Sequence, residues 1–336
     1  LSSPLKYLFS FLFFGAISAL LLLGFLSAYV NLPSGPKGVI EVRVDRRENF
    51  ATVAARLKKH KVIANERLFV LWARLWSLDR RIRWGIYRFE LPSSPHNVLK
   101  RMILGQGAFR RVTVPEGLTV REIADLFDRE GIADKAQLLA ANTDSKLLAR
   151  LGLTGKSLEG YLFPDTYHFT PLMGPHDLLA AMKKRFDDAV GTLAVRDNGL
   201  GLSVHEVVTL ASLIEKESGV EDERPLISAV FHNRLKQKMP LQSDPTVIYG
   251  LKKFSGNLTR NDLQRPGPYN TYRIQGLPPG PICNPGLSAL RAAILPAQVP
   301  YLYFVSKNDG SHLFSSTIAD HDRAVERFQK KRSSRR

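Results

Sequence analysis

The sequence predicts an α+β fold behind a single apolar helix. Three observations carry this: a charge-free run from Tyr7 to Val30, two segments in which alternating valines precede helix-spaced apolar residues, and a carboxyl-terminal half where helical periods alternate with proline- and glycine-rich loops. The chain holds 336 residues, 44% of them hydrophobic, which suffices for a membrane segment and two modest domains.

The run Tyr7–Val30 is long enough to cross a bilayer. At about 1.5 Å rise per residue it outspans a hydrocarbon core roughly 30 Å thick. A cleaved signal peptide is the competing reading, but such peptides have apolar regions of typically ~7–15 residues, and Leu26-Ser27-Ala28 is a poor small-x-small cleavage site. We therefore expect a transmembrane helix over 7–30; Lys6 is the single positive charge before it, so the positive-inside rule barely orients it, and residues 1–6 are taken as a cytoplasmic amino terminus. The stretch NLPSGPKG (31–38) holds two prolines and two glycines and predicts a short linker.

A soluble region is expected from 39 to 155, and it contains a weak repeat. Val42, Val44, Val53, Ala54, Leu57, Val62 and Leu68 recur about seventy positions later as Val112, Val114, Ile123, Ala124, Phe127, Ile132 and Leu138. Each copy reads as a short strand followed by an amphipathic helix, ending near His60-Lys61 in one and Gly131 in the other. Between them, GIYRFELPSS (85–94) predicts a strand closed by a turn, and His96 to Leu104 a helix.

A second region is expected over 156–330. The run LEGYLFPDTYHF (158–169) crowds aromatics around a Pro-Asp turn, which suits either a packed corner or a sugar-stacking surface. Helical spacing follows over Asp177–Val190, Val204–Ser218, Pro225–Lys236 and Leu287–Leu295, and YLYFVSK (301–307) reads as a strand. The segments LQSDPTVIYG (241–250) and RPGPYNTYRIQGLPPGPICNPG (265–286) read as irregular, and loops of that length tend to line active sites. Residues 331–336 form a basic tail.

Composition removes several classes of function. Cys283 is alone, so no internal disulfide can form. The eight histidines are scattered without metal-ligand spacing, and no metal or other cofactor is expected. The glycines of GLPPGP read as turn formers, since no helix-opening Lys-Ser or Lys-Thr follows them. A net charge of +17 reads first as an ordinary solvated surface with a basic tail, and the functional alternative is attraction to a polyanion, either an anionic membrane surface or an acidic wall polymer. Nucleic acid is not expected as a partner, because no binding motif accompanies the charge.

The residues that could carry chemistry cluster at the end of the Val204 helix. Val204, Val207, Val208, Leu210, Ala211, Leu213 and Ile214 form a stripe that must face a core. Stepping about 100° per residue puts Glu215 about 80° to one side of that stripe and Glu217 about 80° to the other. Each sits on the margin between core and solvent, where partial desolvation lifts a carboxyl toward the working pH of a general acid. Periodicity does not choose between them, and an ordinary solvated helix end is the bland alternative. Ser218, Gln242, Ser243, Asp244, Tyr249, Asn270 and Tyr272 supply the hydroxyl, amide and ring groups that a glycan cleft needs. For Asp244 and Asn270, capping their own turns is an equal alternative, and Glu159 before Gly160 is likewise open.

Several strings, taken together, resemble the YceG-like (MltG) family of endolytic peptidoglycan transglycosylases. They are LEGYLFPDTY (158–167), ASLIEKES (211–218), FHNRL (231–235), LQSDPTVIYG (241–250), YNTYRIQGLPPGPI (269–282), NPG (284–286) and YLYFVSK (301–307), in the family's order. The resemblance implies that 39–155 is a LysM-like peptidoglycan-binding region and 156–330 a YceG-like catalytic domain. It implies a catalytic glutamate in the Glu-Lys-Glu triplet, carried here to Glu217 with Glu215 as fallback, because Glu217-Ser218 also resembles the Glu-Ser dipeptide of lysozyme-like lytic transglycosylases. The implied activity is cleavage between N-acetylmuramic acid and N-acetylglucosamine within nascent strands, leaving 1,6-anhydro ends and terminating elongation. The implied setting is the bacterial inner (cytoplasmic) membrane, single-pass, with the catalytic domain on the periplasmic or outer side, cooperating with peptidoglycan synthases (penicillin-binding proteins). A non-catalytic membrane-tethered wall binder and a two-carboxylate muramidase are the alternatives.

Overall fold

The computed structural model describes residues 3–45, 48–105, 107, 110–170, 172–193, 199–251, 253–254 and 256–330. The basic tail at 331–336 lies outside the described residues. Among the described residues the protein is α+β, with helices carrying most of the secondary structure and three two-stranded sheets. It divides into two compact units, one of residues 1–111 and 168–173, the other of 112–167 and 174–336.

The first unit contains α1 (Ser3–Asn31), β1 (Ser34–Val44), α2 (Phe50–Lys59), α3 (Glu66–Leu75), β2 (Gly85–Ser93) and α4 (Pro95–Leu104). Over Leu12–Asn31, α1 is long and apolar enough to cross a membrane, and most of its side chains there face outward. Its last turns behave differently, since Leu26 and Val30 enter the core formed with Val42, Val53, Leu57, Phe69, Tyr87, Phe89 and Leu99. β1 and β2 are antiparallel, and Val42 opposite Tyr87 and Ile40 opposite Phe89 put the apolar side chains of both strands on facing positions.

The expected linker is mostly strand. Helix α1 runs to Asn31 and β1 begins at Ser34, so only Leu32 and Pro33 separate them. The Gly-Pro-Lys-Gly run is absorbed as an irregularity between the Ser34–Ser93 and Gly38–Leu91 pairs, with Gly35 and Gly38 at positive φ. Proline and left-handed glycines are tolerated at such a bulge because the ladder is already interrupted there.

The second unit contains β3 (Arg110–Thr113, entering it at Val112), α5 (Val120–Arg129), α6 (Lys135–Asn142), α7 (Ser145–Arg150), β4 (Thr166–Phe169, leaving it after Tyr167), α8 (Pro175–Val190), α9 (Val204–Glu217), α10 (Arg224–Lys236), α11 (Asp244–Gly250), α12 (Arg260–Gln264), α13 (Leu287–Ile294), β5 (Tyr303–Ser306), β6 (His312–Ser315) and α14 (Ile318–Val325). Both copies of the repeat form the expected strand and helix, and their apolar positions are largely buried. They do not share a unit, because the division falls between them. The second copy is tied into the second unit by the Val114 amide donating to the Asp165 carbonyl, the Thr113 and Thr166 hydroxyls 2.9 Å apart, and α6 packing on α8. The two compact units thus divide at 111–112, with 168–173 returning to the first.

One local expectation is corrected, and of two readings left open one is found. The segment 244–250 is helical, since Pro245 stands in the first turn where its missing N–H costs nothing. The aromatic run at 158–167 is a packed corner: Tyr161, Phe163 and Tyr167 are buried, with Tyr161 edge-on to Phe186 at 5.1 Å.

Candidate active site

Helix α9 is set at both ends. A capping box starts it, with the Ser203 hydroxyl accepting from the Glu206 amide and the Glu206 carboxylate accepting from the Ser203 amide. Its apolar face, Val207 to Ile214, packs against α13, where Ala289, Ala292 and Ala293 allow close approach. Ser212 is buried on the same helix and accepts a hydrogen bond from the Ile282 amide at 3.0 Å, pinning the loop before α13. Helical geometry ends at Glu217, with Ser218 as an extended C-cap. The two glutamates thus occupy the last turn, where the negative end of the helix dipole opposes ionisation.

Their surroundings differ. One oxygen of Glu215 accepts from Arg224 at 2.8 Å and the other from the Gly286 amide at 2.9 Å, with its side chain only 6% exposed. Burial raises its pKa, while the Gly286 amide and Arg224 oppose the rise. Arg224 also bridges to Glu116 and to the Ser218 hydroxyl. Glu215 is thereby a held structural carboxylate with both oxygens engaged.

Glu217 is half-buried at the wall of a groove of about 460 Å³. Its Oε1 accepts from the Ser243 hydroxyl at 2.6 Å. Burial pushes its pKa up to about 7, with Asp244 adding to the rise and the Ser243 hydroxyl and Arg234 opposing it. A carboxyl near neutrality that faces a groove can donate a proton and take one back.

Ser243 is positioned by its loop. Its amide donates to the Thr271 hydroxyl at 2.9 Å, the Gln242 amide donates to the Thr271 carbonyl, and Thr246 caps back onto the Ser243 carbonyl. Gln242 adopts φ 54, a left-handed conformation unusual for a residue with a Cβ, and the chain turns there with Ser243 buried and Gln242 exposed.

Gln242, Asp244 and Tyr272 join Glu217 in lining the groove. The Tyr272 hydroxyl donates to Asp244 at 2.6 Å. Ser243 meets Glu217 directly from behind the lining, and Ser218 turns to Arg224. The remaining two expected residues lie elsewhere. Asn270 is buried, donates to the carbonyls of Leu263 and Arg265, and accepts from the Tyr272 amide, so it pins its own loop. Tyr249 donates to Glu159 at 3.3 Å and packs on Tyr269.

Glu159 itself belongs to a buried hub. It accepts from the Val120 amide and from Asn284, and burial pushes its pKa up to about 7. Asn284 also accepts from the Leu162 amide and donates to the Leu118 carbonyl, so the LEGY and NPG motifs meet through their polar groups.

The sequence reading assigned no role to Arg234, which is buried beside the groove. It donates to the carbonyls of Leu302 and Leu241 and to the Gln242 side chain, and its guanidinium lies 5.2 Å from the Tyr303 ring centre. A signal existed: Ile227, Val230, Phe231 and Arg234 share one helical face, so a charge sits on a buried stripe. His312 also lines the groove, with Nδ1 and Glu223 2.7 Å apart and its backbone amide donating to the same carboxylate. No local pattern marked that pair, which joins the turn after α9 to strand β6.

A model described as the YceG-like family matches residues 42–327. The chain is similar to an endolytic murein transglycosylase of Bacillus subtilis, 33% identical over 308 residues that cover 87% of this chain and 85% of that protein. It is 28% identical over 336 residues to an endolytic murein transglycosylase of Streptococcus pneumoniae, covering 89% of this chain but 60% of the relative. Among solved structures, a YceG-like protein of Listeria monocytogenes matches with a TM-score of 0.59 and 31% identity, over 85% of this chain and 98% of that one.

Proposed function

The chain belongs to the YceG-like family, and from that premise we propose that it is a lytic transglycosylase of murein glycan strands in which Glu217 is the catalytic acid. The observation that carries the assignment is the difference between the two glutamates of one helical turn. Glu217 faces a groove with its pKa raised to about 7, whereas Glu215 is saturated by Arg224 and Gly286.

The proposed reaction needs one carboxyl. The Glu217 proton is carried on Oε2, since Oε1 already accepts from Ser243. That proton passes to the oxygen bridging N-acetylmuramic acid and N-acetylglucosamine as the glycosidic bond breaks. The resulting carboxylate, steadied by the Ser243 hydroxyl and the Arg234 charge, then takes the proton of the muramic C6 hydroxyl as that oxygen bonds to C1. A 1,6-anhydro ring forms and no water is consumed. The intramolecular hydroxyl has the advantage of proximity, which replaces a second protein carboxylate. Gln242, Asp244 and Tyr272 are the proposed sugar contacts.

Helix α1 is the proposed membrane anchor, placing both units on the outer face of the cytoplasmic membrane, where nascent strands are made. Cooperation with peptidoglycan synthases is proposed on the family resemblance alone. A second reading rests on Asp244, which lines the same groove and could serve a hydrolase as base. Incubation with purified sacculi and mass spectrometry of the released fragments separates the readings. Anhydro-muramic ends are expected, reducing muramic ends would establish the two-carboxylate hydrolase, and no release would leave a tethered binder.

A further inference from the structure

Helix α3 presents apolar surface on two sides. Phe69, Trp72 and Ala73 fill the core of the first unit, yet Leu71, Leu75 and Trp76 stand outside it, at 41%, 58% and 67% exposure. Arg67 and Arg74 share the outward face with Leu71 and Leu75, and exposed Arg80 and Arg81 follow in the next turn. Mixed arginine and bulky apolar side chains on one face suit a membrane surface, with rings and alkyl groups in the acyl boundary and guanidinium groups on anionic headgroups.

The anchor fixes where this face lies. Within the first unit, α1 packs on α3 and α4, Leu26 and Val30 are core residues, and the Tyr29 hydroxyl donates to the Asn65 carbonyl at the cap of α3. Leu23, Leu26, Ser27 and Val30 recur on one face of α1 and share an apolar cleft of about 540 Å³ with Trp72, Trp76, Leu78 and His96. Even if the hydrocarbon core begins as early as Tyr7, about 20 residues of helix carry it to Leu26. A side chain that shares a cleft with Leu23 therefore reaches at least the outer headgroup boundary.

We propose that the carboxyl-terminal end of α3, where Arg74 and Leu75 stand on the outward face and Trp76 on the side that meets α1, seats the first unit in the outer leaflet, and that phospholipid fills the cleft between α1 and Trp76. The proposal rests on the reading of α1 as an anchor and is independent of the glycan chemistry. It makes the first unit a body fixed at the membrane surface rather than one swinging on a linker, in keeping with the two residues that separate α1 from β1.

The test uses the full chain in nanodiscs of phosphatidylcholine and phosphatidylglycerol with acyl chains brominated at defined depths. The protein has three tryptophans, Trp72, Trp76 and Trp84, so Trp76→Phe isolates the exposed one without disturbing the core. Bromine near the headgroups should quench wild-type fluorescence, and Trp76→Phe should lose most of the quenched component. Iodide added to the water should have little access to Trp76. Unchanged bromine quenching in Trp76→Phe, or free quenching of Trp76 by iodide, in a chain that stays in the nanodisc under alkaline wash, would overturn the seating and leave the anchor standing. A chain that leaves the lipid on washing would overturn both. Glycan cleavage by the same samples is scored separately on sacculi.

Discussion

The proposed chemistry turns on how one hydroxyl and one guanidinium tune one carboxyl. Glu217 is lifted toward neutrality by burial, and the Ser243 hydroxyl limits the rise by favouring the ionised form. Replacing Ser243 with Ala should therefore raise the Glu217 pKa, moving the alkaline limb of the pH–rate profile upward. The same change removes a donor from the carboxylate formed during the reaction. Loss of one hydrogen bond to a charged group is worth about 1.5–3 kcal/mol, so kcat at the optimum should fall by about ten- to a hundredfold. The profile itself decides the matter, because a merely structural loss would lower the rate without displacing the limb. Ser243→Thr, which keeps a hydroxyl, should retain the wild-type limb.

At the scale of elements, the second unit is held where motifs distant in sequence cross. Gly160 adopts φ 87, and a Cβ there would collide with the Pro281 ring and press on Val208 of α9. Gly160→Ala should therefore destabilise the unit by more than about 1 kcal/mol, counting the left-handed backbone alone. Thermal melting should show a lower Tm, whereas an unchanged Tm would mean that the Pro281 loop yields freely. Such crossings mark the limit of what the sequence discloses. Helices α8, α9, α10 and α13 were legible because their apolar residues recur at helical spacing, and the margin positions of Glu215 and Glu217 followed from the same arithmetic. That Glu215 would meet the Gly286 amide and Glu217 the Ser243 hydroxyl depends on contacts across 71 and 26 residues, which no local period encodes. Asn270 and Tyr249 read as cleft residues because their types fit a glycan site, but their hydrogen bonds are spent on loop carbonyls and on Glu159. The division at 111–112 was hidden for the same reason, since the second repeat copy is recruited by residues near 165 rather than by its sequence neighbours.

At the scale of the whole molecule, stability should depend on pH in two opposing ways. Asp144, Glu206, Asp262, Asp309 and Asp320 are held below the usual carboxylate range by hydrogen bonds, so their contribution is present above that range and lost on acidification. Glu159 and Glu217 are raised to about 7, so the folded state binds their protons more tightly than the unfolded chain. Their contribution is fully present below the ordinary value of 4.5 and is lost as pH rises through about 7. Tm should accordingly be highest on the mildly acidic side and decline toward alkaline pH. Glu159→Gln, which removes one of the three carboxyls that burial raises, should flatten that decline, and a decline of unchanged slope would contradict the assignment. The central claim is that the acid is Glu217 and that Glu215 supports it. Muropeptide release from sacculi by Glu217→Gln and Glu215→Gln, each normalised to folded protein, tests this most directly. Loss of general acid catalysis typically costs about 10²–10⁴-fold, so Glu217→Gln should lose at least two orders of magnitude while melting as a folded protein, and folded Glu215→Gln should keep most of its turnover. The reverse ranking, with Glu215→Gln the less active of the two, would contradict the account.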